Sequence, residues 1–490
     1  MFLRLRFPYV VALLLLCKSP VLNAQVISDA EDAELPTGNK QTTTDVAVQL
    51  RQLYAPNMSS ATAGIQEQVQ LLYTLVNFRP VWTTEAGPTE NAQAALTLLS
   101  QAQRYGLKPA DYETVYLRNL LDSLHTTPMQ LQQRLAVETH LSAALIRFSQ
   151  HLSHGRIPGS TIRPAQVTES EIINAAIHVS QALQSNDLEQ HILLAQPTSR
   201  SYVRLLWAWQ SLLKSDTVAA RKMSLPVALN LERLRWEPRA DSIYLVVNIP
   251  AYSLQVVRGP QVVRSHRVVV GKAATPTPEL YSTVNFLQTA PEWRMPHSIA
   301  TKEILPRLKR DPRYLSSRNF RLYNQAGERV NAARVNWKTV TPAEFPYQIR
   351  QAPSSRNALG NVVFRFPNPY EVYLHDTPNR ELFEASTRAL SHGCIRVQHA
   401  WALARFLVQR DAGKAENNSN RMEKMSDSLN EGETRSFGLY ASVPLIIRYQ
   451  TCDADGSKLR QLPDIYGLDE VLTEAWDRAA SEDGVTAAIH

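Results

Sequence analysis

Apolar residues recur every three or four positions along much of the first half of this chain. This spacing places them on one face of a helix, where they can pack into a core. The clearest stripes are formed by Ile65, Val69, Leu72 and Val76; by Val137, Leu141, Leu145, Phe148 and Leu152; and by Tyr202, Leu205, Leu206, Trp209, Leu212 and Leu213. The second helix would end at Gly155. We therefore predict an all-α domain over residues 63–225 and interpret the stripes as its core rather than as a cofactor site.

Beyond Pro238 the pattern changes to short apolar runs separated by Gly and Pro, which is typical of strands. The predicted strands are 243–249, 253–257, 262–270, 362–366 and 370–375. They indicate a mainly-β domain over residues 239–475, built as a sandwich. The whole chain is then expected to be an α+β multidomain protein.

Two segments interrupt the predicted strands. Residues 293–348, which begin at Trp293, are long for a strand connection and contain a helical pattern from Ala300 to Tyr314. They either form a lid over a cleft or fill a corner of the domain. Residues 412–436 are polar and predict a mobile excursion without identifiable chemistry.

The N-terminus has the features of an export signal. Arg4 and Arg6 precede an apolar run that is too short to span a bilayer, and the segment ends in the small Ala24. We predict a cleavable signal peptide at 1–24 and a flexible tether at 25–62. An uncleaved anchor is the alternative. A lipoprotein signal at Cys17 is disfavoured because the bulky Leu16 precedes it.

The net charge and the cysteine content limit the functions that the protein could have. Loss of Arg4, Arg6 and Lys18 with the signal lowers the formal net charge from +7 to +4, and the remaining basic residues are scattered, so we predict no nucleic-acid partner. The excess charge could favour an anionic polymer or be incidental. Only Cys394 and Cys452 remain after cleavage. We interpret Cys452 as a packing residue, since a disulfide between the two would remove Cys394 as a nucleophile.

Candidate chemistry lies in the predicted β domain. In residues 370–375 Tyr373 and His375 alternate with apolar residues, so His375 should point away from the packing face, beside Tyr373. Ser391 follows sixteen residues after His375 and begins the sequence Ser-His-Gly-Cys. A helix-like piece over 381–389 is predicted to lead the chain back to this sequence.

The residues around Cys394 favour reactivity. Gly393 permits a sharp turn and leaves room for a substrate near the sulfur. Helical spacing begins at Ala400, so Cys394 should lie just ahead of a helix N-terminus, where the partial positive charge favours the thiolate. A lone buried cysteine or a structural histidine is the alternative. His375, His392 and Cys394 would supply three ligands to a zinc ion, and no nearby motif supplies the rest of a tetrahedral set. We therefore predict no metal and no cofactor.

These residues resemble the active-site pattern of the L,D-transpeptidase (YkuD-type) family, which remodels peptidoglycan. The match consists of His375, the sixteen-residue gap and the segment from Ser391 to Arg396. Many members have Asn where this chain has Arg396. The arginine form is similar to a larger branch that joins the catalytic domain to a helical scaffold. Residues 230–236, 356–360, 366–368, 374–378 and 464–467 also resemble that branch. Its peptidoglycan-binding domain is not evident, because residues 213–229 are too few to hold one.

The resemblance implies the role of each residue. Cys394 would be the nucleophile and His375 the base. The backbone N–H groups of Gly393 and Cys394, with the Tyr373 hydroxyl, would form the oxyanion hole. The substrate site would also include Ser391, His392, Arg396 and Trp293. Arg396 would either recognise a carboxylate or brace the loop in an ion pair.

The resemblance also implies a reaction and partners. A tetrapeptide stem would acylate the cysteine with release of D-Ala, and a diaminopimelate amine would accept the acyl group in a 3→3 cross-link. Alternatively, water or a lipoprotein lysine could be the acceptor, or the enzyme could cut such cross-links. The protein could also be an inactive scaffold that binds the cell wall. Peptidoglycan stem peptides, carbapenem inhibitors and a peripheral association with the cell envelope are the expected partners, and the periplasm is the expected location.

Overall fold

The computed structural model describes residues 40–54, 64–124, 130–157, 174–238, 243–410 and 418–485. The predicted signal peptide lies outside the described residues. The helices are α1 (Lys40–Tyr54), α2 (Ile65–Leu75), α3 (Glu90–Ser100), α4 (Thr114–Ser123), α5 (Leu131–His154), α6 (Ala175–Gln184), α7 (Leu188–Leu193), α8 (Arg200–Ser215), α9 (Thr217–Arg235), α10 (His297–Ile299), α11 (Leu305–Arg310), α12 (Tyr314–Ser317), α13 (Ala400–Arg410), α14 (Asn418–Glu431) and α15 (Leu468–Val485). A π-helix, Ala300–Ile304, joins α10 to α11.

The strands belong to two small hairpins, a four-stranded sheet and a large sheet. They are β1 (Thr83–Thr84), β2 (Gly87–Pro88), β3 (Ile243–Asn248), β4 (Ser253–Arg258), β5 (Gln261–Gly271), β6 (Leu280–Thr289), β7 (Trp293–Arg294), β8 (Phe320–Tyr323), β9 (Arg329–Val330), β10 (Gln348–Gln351), β11 (Val362–Arg365), β12 (Leu374–His375), β13 (Ala389–Ser391), β14 (Ile395–Val397), β15 (Arg435–Arg448), β16 (Cys452–Asp455) and β17 (Lys458–Gln461).

Helices α1 to α7 share one hydrophobic core, with the long helix α5 at its centre. The apolar residues predicted to form the stripe of α5 are buried, and Gly155 ends this helix with a positive φ of 86°. Glu138, on the same helix, is fully buried and accepts hydrogen bonds from the backbone N–H groups of Val81, Trp82 and Thr83. The predicted helical region is therefore confirmed.

Helix α1 corrects the predicted tether. Residues 40–54, which fall inside the expected tether at 25–62, form a helix whose Val46 and Leu50 are fully buried in the helical core. The two apolar residues are one helical turn apart, and the polar residues around them hid this short stripe. A contact of Tyr54 with Tyr73, whose ring centroids lie 5.5 Å apart, also fastens α1 to α2.

Helix α9 joins the two halves of the chain. It continues through residue 225, where the helical domain was predicted to end, because Val227, Leu231 and Leu234 bury one face against α8 and Cys452. Cys452 is a fully buried free cysteine in this cluster. Since Asp216 alone separates α8 from α9, a further folded domain has no place between them.

The large sheet of the second half closes on itself, and β13 pairs with β5 beside the closed ring. The order of the strands in the ring is β5-β14-β12-β11-β6-β15-β3-β4, and β4 pairs again with β5. Side chains from each of these strands, together with α13, fill the interior. The mainly-β domain is confirmed, but one closed sheet replaces the two sheets of a sandwich because the long strand β5 pairs along both of its ends.

Several predicted elements near the candidate site differ from the structure. The predicted strand 370–375 is reduced to β12, because the side chain of Asn368 accepts the N–H groups of Tyr370 and Val372 and holds this stretch in a turn. The helix-like piece at 381–389 is a 3₁₀ turn, Arg380–Glu384, followed by β13. Strand β6, which lies between β11 and β15, was not predicted from the sequence.

The insertion predicted as a lid has a sheet and a core of its own. Strands β7, β10, β8 and β9 pair in that order, and α10 to α12 pack against them. The cluster between them, which includes Leu308, Trp337 and Ile349, is separate from the interior of the closed sheet. We refer to residues 293–351 as the lid. Its separate core shows a unit packed by itself, and its role as a cover over the site stays a prediction.

The region predicted as a mobile excursion contains helix α14. Its Met425 is fully buried in the interior cluster of the closed sheet, and its mobility stays a prediction. Within the described ranges, no helix combines the length and the apolar character needed to cross a membrane.

Candidate active site

The sheet brings the predicted base and nucleophile together. Strand β12 ends at His375 and pairs in parallel with β14, where His375 lies opposite Arg396. Cys394 immediately precedes β14 and is level with Tyr373, because the N–H of Ile395 donates to the carbonyl of Tyr373 at 3.1 Å. Both side chains share the charged neighbours Arg365 and Arg396. The structure records no hydrogen bond between the sulfur of Cys394 and the imidazole of His375, although both are described residues.

His375 lies beside Tyr373 and outside the interior cluster of the closed sheet, yet it is buried, with an exposed fraction of 5%. The Nδ1 atom lies 2.6 Å from the carbonyl oxygen of Asp376, so Nδ1 carries the proton and donates it there. Burial, and then the charge of Arg396, lower the pKa of His375 to about 3. The imidazole is therefore neutral at physiological pH, with its Nε2 atom available to accept a proton.

The loop before Cys394 is held by its own side chains. Gly393 has a φ of 114°, a conformation that favours glycine. The Ser391 hydroxyl donates to the carbonyl of Cys394 at 2.6 Å, and the Thr277 hydroxyl donates to the carbonyl of Gly393 at 2.7 Å. These two bonds fix the backbone on both sides of the cysteine.

The electrostatics of Cys394 differ from those predicted. Strand β14 lies between Cys394 and α13, which begins at Ala400, so the thiol is not at the helix N-terminus, and a helix dipole acts over little more than one turn. Burial raises the pKa of the Cys394 thiol above its ordinary value, while the backbone and hydroxyl of Tyr373 act against this shift. The resting cysteine is therefore a thiol rather than a thiolate.

Tyr373 contacts both members of the pair. Its ring lies edge-on to His375 with centroids 5.6 Å apart, and its hydroxyl faces the sulfur of Cys394. The side chain of Trp293, from the lid, interacts with the same hydroxyl. Burial and the neighbouring Cys394 raise the pKa of Tyr373, so the hydroxyl keeps its proton and can act as a donor.

The predicted oxyanion donors do not all face the cleft. The N–H of Gly393 donates to the Ser391 hydroxyl at 3.2 Å, so it serves the loop, which corrects its expected role. The structure shows no acceptor among the described residues for the N–H of Cys394. The remaining candidates for an oxyanion hole are thus this N–H and the Tyr373 hydroxyl.

His392 points toward the lid. Its Nε2 atom lies 2.5 Å from Oε1 of Glu303 in the π-helix, and both side chains are partly exposed. We call this pair the clasp. It connects the nucleophile loop to the lid, so the sequence rightly placed His392 at the site but could not identify its partner.

Arg396 lies beside the thiol without an acidic partner. Burial lowers the pKa of its guanidinium, and the charge of Cys394 opposes that shift. The structure gives this guanidinium no hydrogen bond or ion pair with any described residue. Of the two predicted roles, recognition of an anion fits this arrangement better than a bracing ion pair.

Other residues of the site were not identified as functional from the sequence. Arg365 lies over the ring of Tyr373, with Cζ 4.7 Å from the ring centroid. Tyr466 donates to the carbonyl of Gly271 at 2.6 Å and accepts from the N–H of Thr277. Tyr466 belongs to one of the segments that carry the family resemblance, which was the available signal. Arg365 had no such signal.

Metal binding has no support from grouped side chains in the described ranges, where no cluster of three or more His, Cys, Asp or Glu residues is suited to hold an ion. His392, one of the ligands considered for zinc, is paired with Glu303 instead. That the chain needs no metal and no cofactor stays a prediction.

Comparisons with known proteins agree with this arrangement. Residues 242–415 match the family model of the L,D-transpeptidase catalytic domain, YkuD, and residues 67–208 match that of the Scaffold domain. The chain therefore carries a YkuD-type L,D-transpeptidase catalytic domain joined to a scaffold domain.

The individual proteins similar to this chain each match about half of it or less. A Haemophilus influenzae protein named "Putative L,D-transpeptidase" is 35% identical over 254 residues, 51% of this chain and 50% of that protein. The chain thus spans about half the length of the curated relative it matches. The solved structure of an L,D-transpeptidase from Mycobacterium smegmatis covers 42% of this chain and 58% of its own, with 13% identity and a TM-score of 0.17. This similarity is too low to support an inference about fold or function.

Proposed function

We propose that this protein is a peptidoglycan L,D-transpeptidase. Cys394 would be acylated by a tetrapeptide stem with release of D-Ala, and the acyl group would pass to a diaminopimelate amine to form a 3→3 cross-link. The observation that carries this proposal is that Tyr373 contacts both the thiol of Cys394 and the neutral imidazole of His375, whose proton is held on Nδ1 by the carbonyl of Asp376.

Acylation begins with proton transfer. Because the thiol and the imidazole are both neutral at rest, Nε2 of His375 takes the thiol proton as the sulfur attacks the carbonyl carbon of the L-centre-to-D-Ala bond. The C–S bond forms and the negative charge develops on the carbonyl oxygen. The Tyr373 hydroxyl and the N–H of Cys394 are the groups available to stabilise it.

The tetrahedral intermediate then collapses. The C–N bond to D-Ala breaks, and the imidazolium of His375 returns its proton to the departing amine. A thioester remains on Cys394. In the second step a neutral diaminopimelate amine attacks this thioester, a new amide forms, the C–S bond breaks, and the proton lost by the amine restores the thiol through His375.

Charge in the site supports recognition of a stem peptide. Arg365 and Arg396 both lie close enough to influence Cys394, and no acid neutralises Arg396 among the described residues. Stem peptides carry carboxylates, which a guanidinium binds with paired hydrogen bonds. The lid would exclude water from the thioester, which favours transfer to an amine over hydrolysis.

The cellular setting is part of the same proposal. An enzyme of this kind would act in the periplasm after cleavage of the signal peptide near Ala24, in peripheral association with the envelope. Carbapenems would acylate Cys394. N-terminal sequencing of the mature protein tests the location, and a retained Met1 on a cytosolic protein would contradict it.

The reaction itself is tested by incubating purified protein with tetrapeptide-rich peptidoglycan and analysing the muropeptides by mass spectrometry. We expect 3→3 cross-linked dimers and free D-Ala from the wild type, and neither from Cys394→Ala. Tripeptides without dimers would indicate a carboxypeptidase, and an unchanged muropeptide profile would indicate an inactive scaffold. Intact-mass spectra with a carbapenem form the second arm, and labelling that persists in Cys394→Ala would exclude this cysteine as the acylated residue.

A further inference from the structure

A polar cavity lies where three parts of the chain meet, away from Cys394. Helix α8 forms one wall, the neighbouring strands β3, β4 and β15 form the floor, and the hairpin β16–β17 forms the other wall. The cavity has a volume of about 270 Å³. It is lined by Arg200, Ser201, Arg204, Val246, Asn248, Ser253, Gln255, Arg448, Gln450, Asp453, Ala454, Asp455 and Arg460. We call it the seam cavity.

The lining is rich in positive charge. Four arginines face two aspartates in it. Arg460 is paired with Asp453 through two hydrogen bonds, whereas Arg204 donates to the carbonyl of Ala454 at 3.2 Å and only approaches the carboxylate of Asp455, at 3.9 Å. Burial, and then the charges of Arg204 and Arg448, lower the pKa of Arg200. Glu237 pairs with Arg448 and Asp453 with Arg460, so Arg200 and Arg204 are the two arginines of the lining without a hydrogen-bonded carboxylate among the described residues.

The inner end of the cavity contains polar groups that lack partners. Gln450 has an exposed fraction of 1%, and neither its amide oxygen nor its amide nitrogen has a hydrogen-bond partner within the described part of the chain. The same is true of the Nε atom of Arg448. The other nitrogens of Arg448 bond to Glu237 and Ser201, so this side chain is fixed while Nε stays available.

A buried polar group without a partner is destabilising, so a protein with two such groups at the end of a cavity gains stability when a ligand binds to them. The backbone of Gln450 is held by the side chain of Asn248, which accepts its N–H at 3.0 Å and donates to its carbonyl at 3.1 Å. These two bonds fix the backbone at Gln450, and the fixed backbone holds the unpaired side-chain amide in place.

We propose that the seam cavity binds a small polar molecule bearing a carboxylate or phosphate group. The oxyanion would accept hydrogen bonds from Nε of Arg448 and from the amide nitrogen of Gln450. Arg200 and Arg204 would supply the remaining positive charge. Asp455, at the exposed mouth, would accept from hydroxyl or ammonium groups of the same molecule. A ligand with an anion at one end and donors at the other fits both ends of the cavity.

This site is independent of the proposed reaction, since none of its lining residues belongs to the Cys394 site. It contacts the helical domain through α8 and the closed sheet through β3, β4 and β15. A bound ligand would therefore stabilise the junction between them, and the gain would grow with the ligand concentration relative to its dissociation constant.

The test uses the full mature protein and three probes. Inorganic phosphate represents the phosphate source, N-acetylmuramic acid represents a sugar carboxylate, and N-acetylglucosamine is the matched sugar without the carboxylate. We expect phosphate, N-acetylmuramic acid or both to raise Tm and to give a Kd below about 1 mM by calorimetry, which is a modest affinity. N-acetylglucosamine should bind at least tenfold more weakly. If neither anion binds, or if the neutral sugar binds as well as the acid, the proposal is overturned.

Variants locate the binding. Gln450→Leu removes the unpaired amide, and Arg204→Gln removes one charge at the mouth without a buried partner. Each should weaken binding at least tenfold and leave carbapenem labelling of Cys394 within about twofold of the wild type, which also reports that the variant is folded. Arg258→Gln, which removes an exposed arginine of β4 outside the cavity, should bind as the wild type does. Unchanged binding in both cavity variants would place the anion elsewhere and overturn the proposal.

Discussion

Cys394 and His375 meet in the structure as a neutral thiol and a neutral imidazole. Burial opposes the charged form of each group, and it raises the pKa of an acid while it lowers the pKa of a base. The pair therefore differs from a preformed thiolate–imidazolium pair. The proton has to move at the moment of attack, and the position of the substrate carbonyl decides whether it does.

The pH dependence of thiol labelling follows from this state. Since the pKa of the Cys394 thiol is raised above its ordinary value, the thiolate fraction should grow about tenfold per pH unit from pH 6 to pH 8. The alkylation rate with iodoacetamide, measured by intact mass, should rise in the same way. Tyr373→Phe removes a donor that stabilises the thiolate, so it should react several-fold more slowly at each pH. A plateau below pH 8 would contradict the neutral thiol.

His375 should make the protein sensitive to acid. Its folded-state pKa of about 3 lies below the value of about 6.5 in the unfolded chain, so the unfolded state gains a proton first as pH falls. The contribution is absent above pH 6.5 and grows as pH decreases toward 3. Between pH 6.5 and pH 4 it should cost about 3 kcal/mol of unfolding free energy.

The measurement compares urea unfolding of the wild type with that of His375→Asn and His375→Gln at both pH values. All other titrating groups are common to the three proteins. The variants should therefore lose about 3 kcal/mol less than the wild type on acidification. An equal loss in all three would mean that His375 is protonated as readily in the folded protein as in the unfolded chain.

Among the elements, the lid is connected to the site by a contact between His392 and Glu303 that the sequence could not indicate. The sequence identified an insertion with a helical pattern, and the structure adds a separate core and the clasp between His392 and Glu303. Trp293 connects the same lid to the Tyr373 hydroxyl. The lid thus contacts the site at two points. One is the clasp at His392, which is partly exposed to solvent, and the other is the hydroxyl of Tyr373.

Breaking the clasp should affect transfer more than thiol chemistry. Glu303→Gln and His392→Asn should react with iodoacetamide within about twofold of the wild type, because the clasp does not touch the sulfur. The ratio of cross-linked to hydrolysed product should fall several-fold, since a loosened lid admits water. The pair is partly exposed, so little stability should be lost.

Muropeptide analysis gives this ratio directly. Glu344→Gln is the control, because it makes the same charge change at an exposed lid residue outside the clasp. The double variant at residues 303 and 392 should resemble either single variant if the two residues act as one unit. Additive effects, or a cross-linking ratio like that of the wild type, would contradict a role for the clasp.

At the scale of the whole molecule, α9 holds the helical domain to the closed sheet. Asn230 is fully buried, accepts the N–H of Thr451 at 2.8 Å and donates to the Thr451 hydroxyl at 3.0 Å. Arg233, one turn further along, forms an ion pair with Asp469 of α15 at 2.6 Å. Two distant parts of the chain, at Thr451 and in α15, are therefore held by one turn of α9.

Asn230→Ala should destabilise the protein by about 2–3 kcal/mol, because it leaves the buried N–H of Thr451 without an acceptor. Both domains should still unfold in one transition, at a lower denaturant concentration, when followed by circular dichroism. Asn285→Ala removes an exposed asparagine of β6 and should change stability by less than about 0.5 kcal/mol. A loss as small in Asn230→Ala would show that the junction does not rely on this residue.

The sequence by itself determined the features that depend on neighbouring residues. Helical stripes in α2, α5 and α8, most strands of the second half, and the cysteine–histidine motif were all recognisable, because spacing of three to four, or two, reflects the local geometry of the chain. The resemblance that rests on the segment from Ser391 to Arg396 agrees with the family model that matches residues 242–415.

The tertiary structure alone decided the features that depend on distant residues. These are the burial of His375, the neutral thiol of Cys394, the use of the Gly393 N–H by Ser391, and the clasp between residues 303 and 392. The closure of the sheet through β4 and β5 and the seam cavity belong with them. Each is set by which segments meet in space and how much water they exclude, and neither property is encoded in the spacing of residues along one segment.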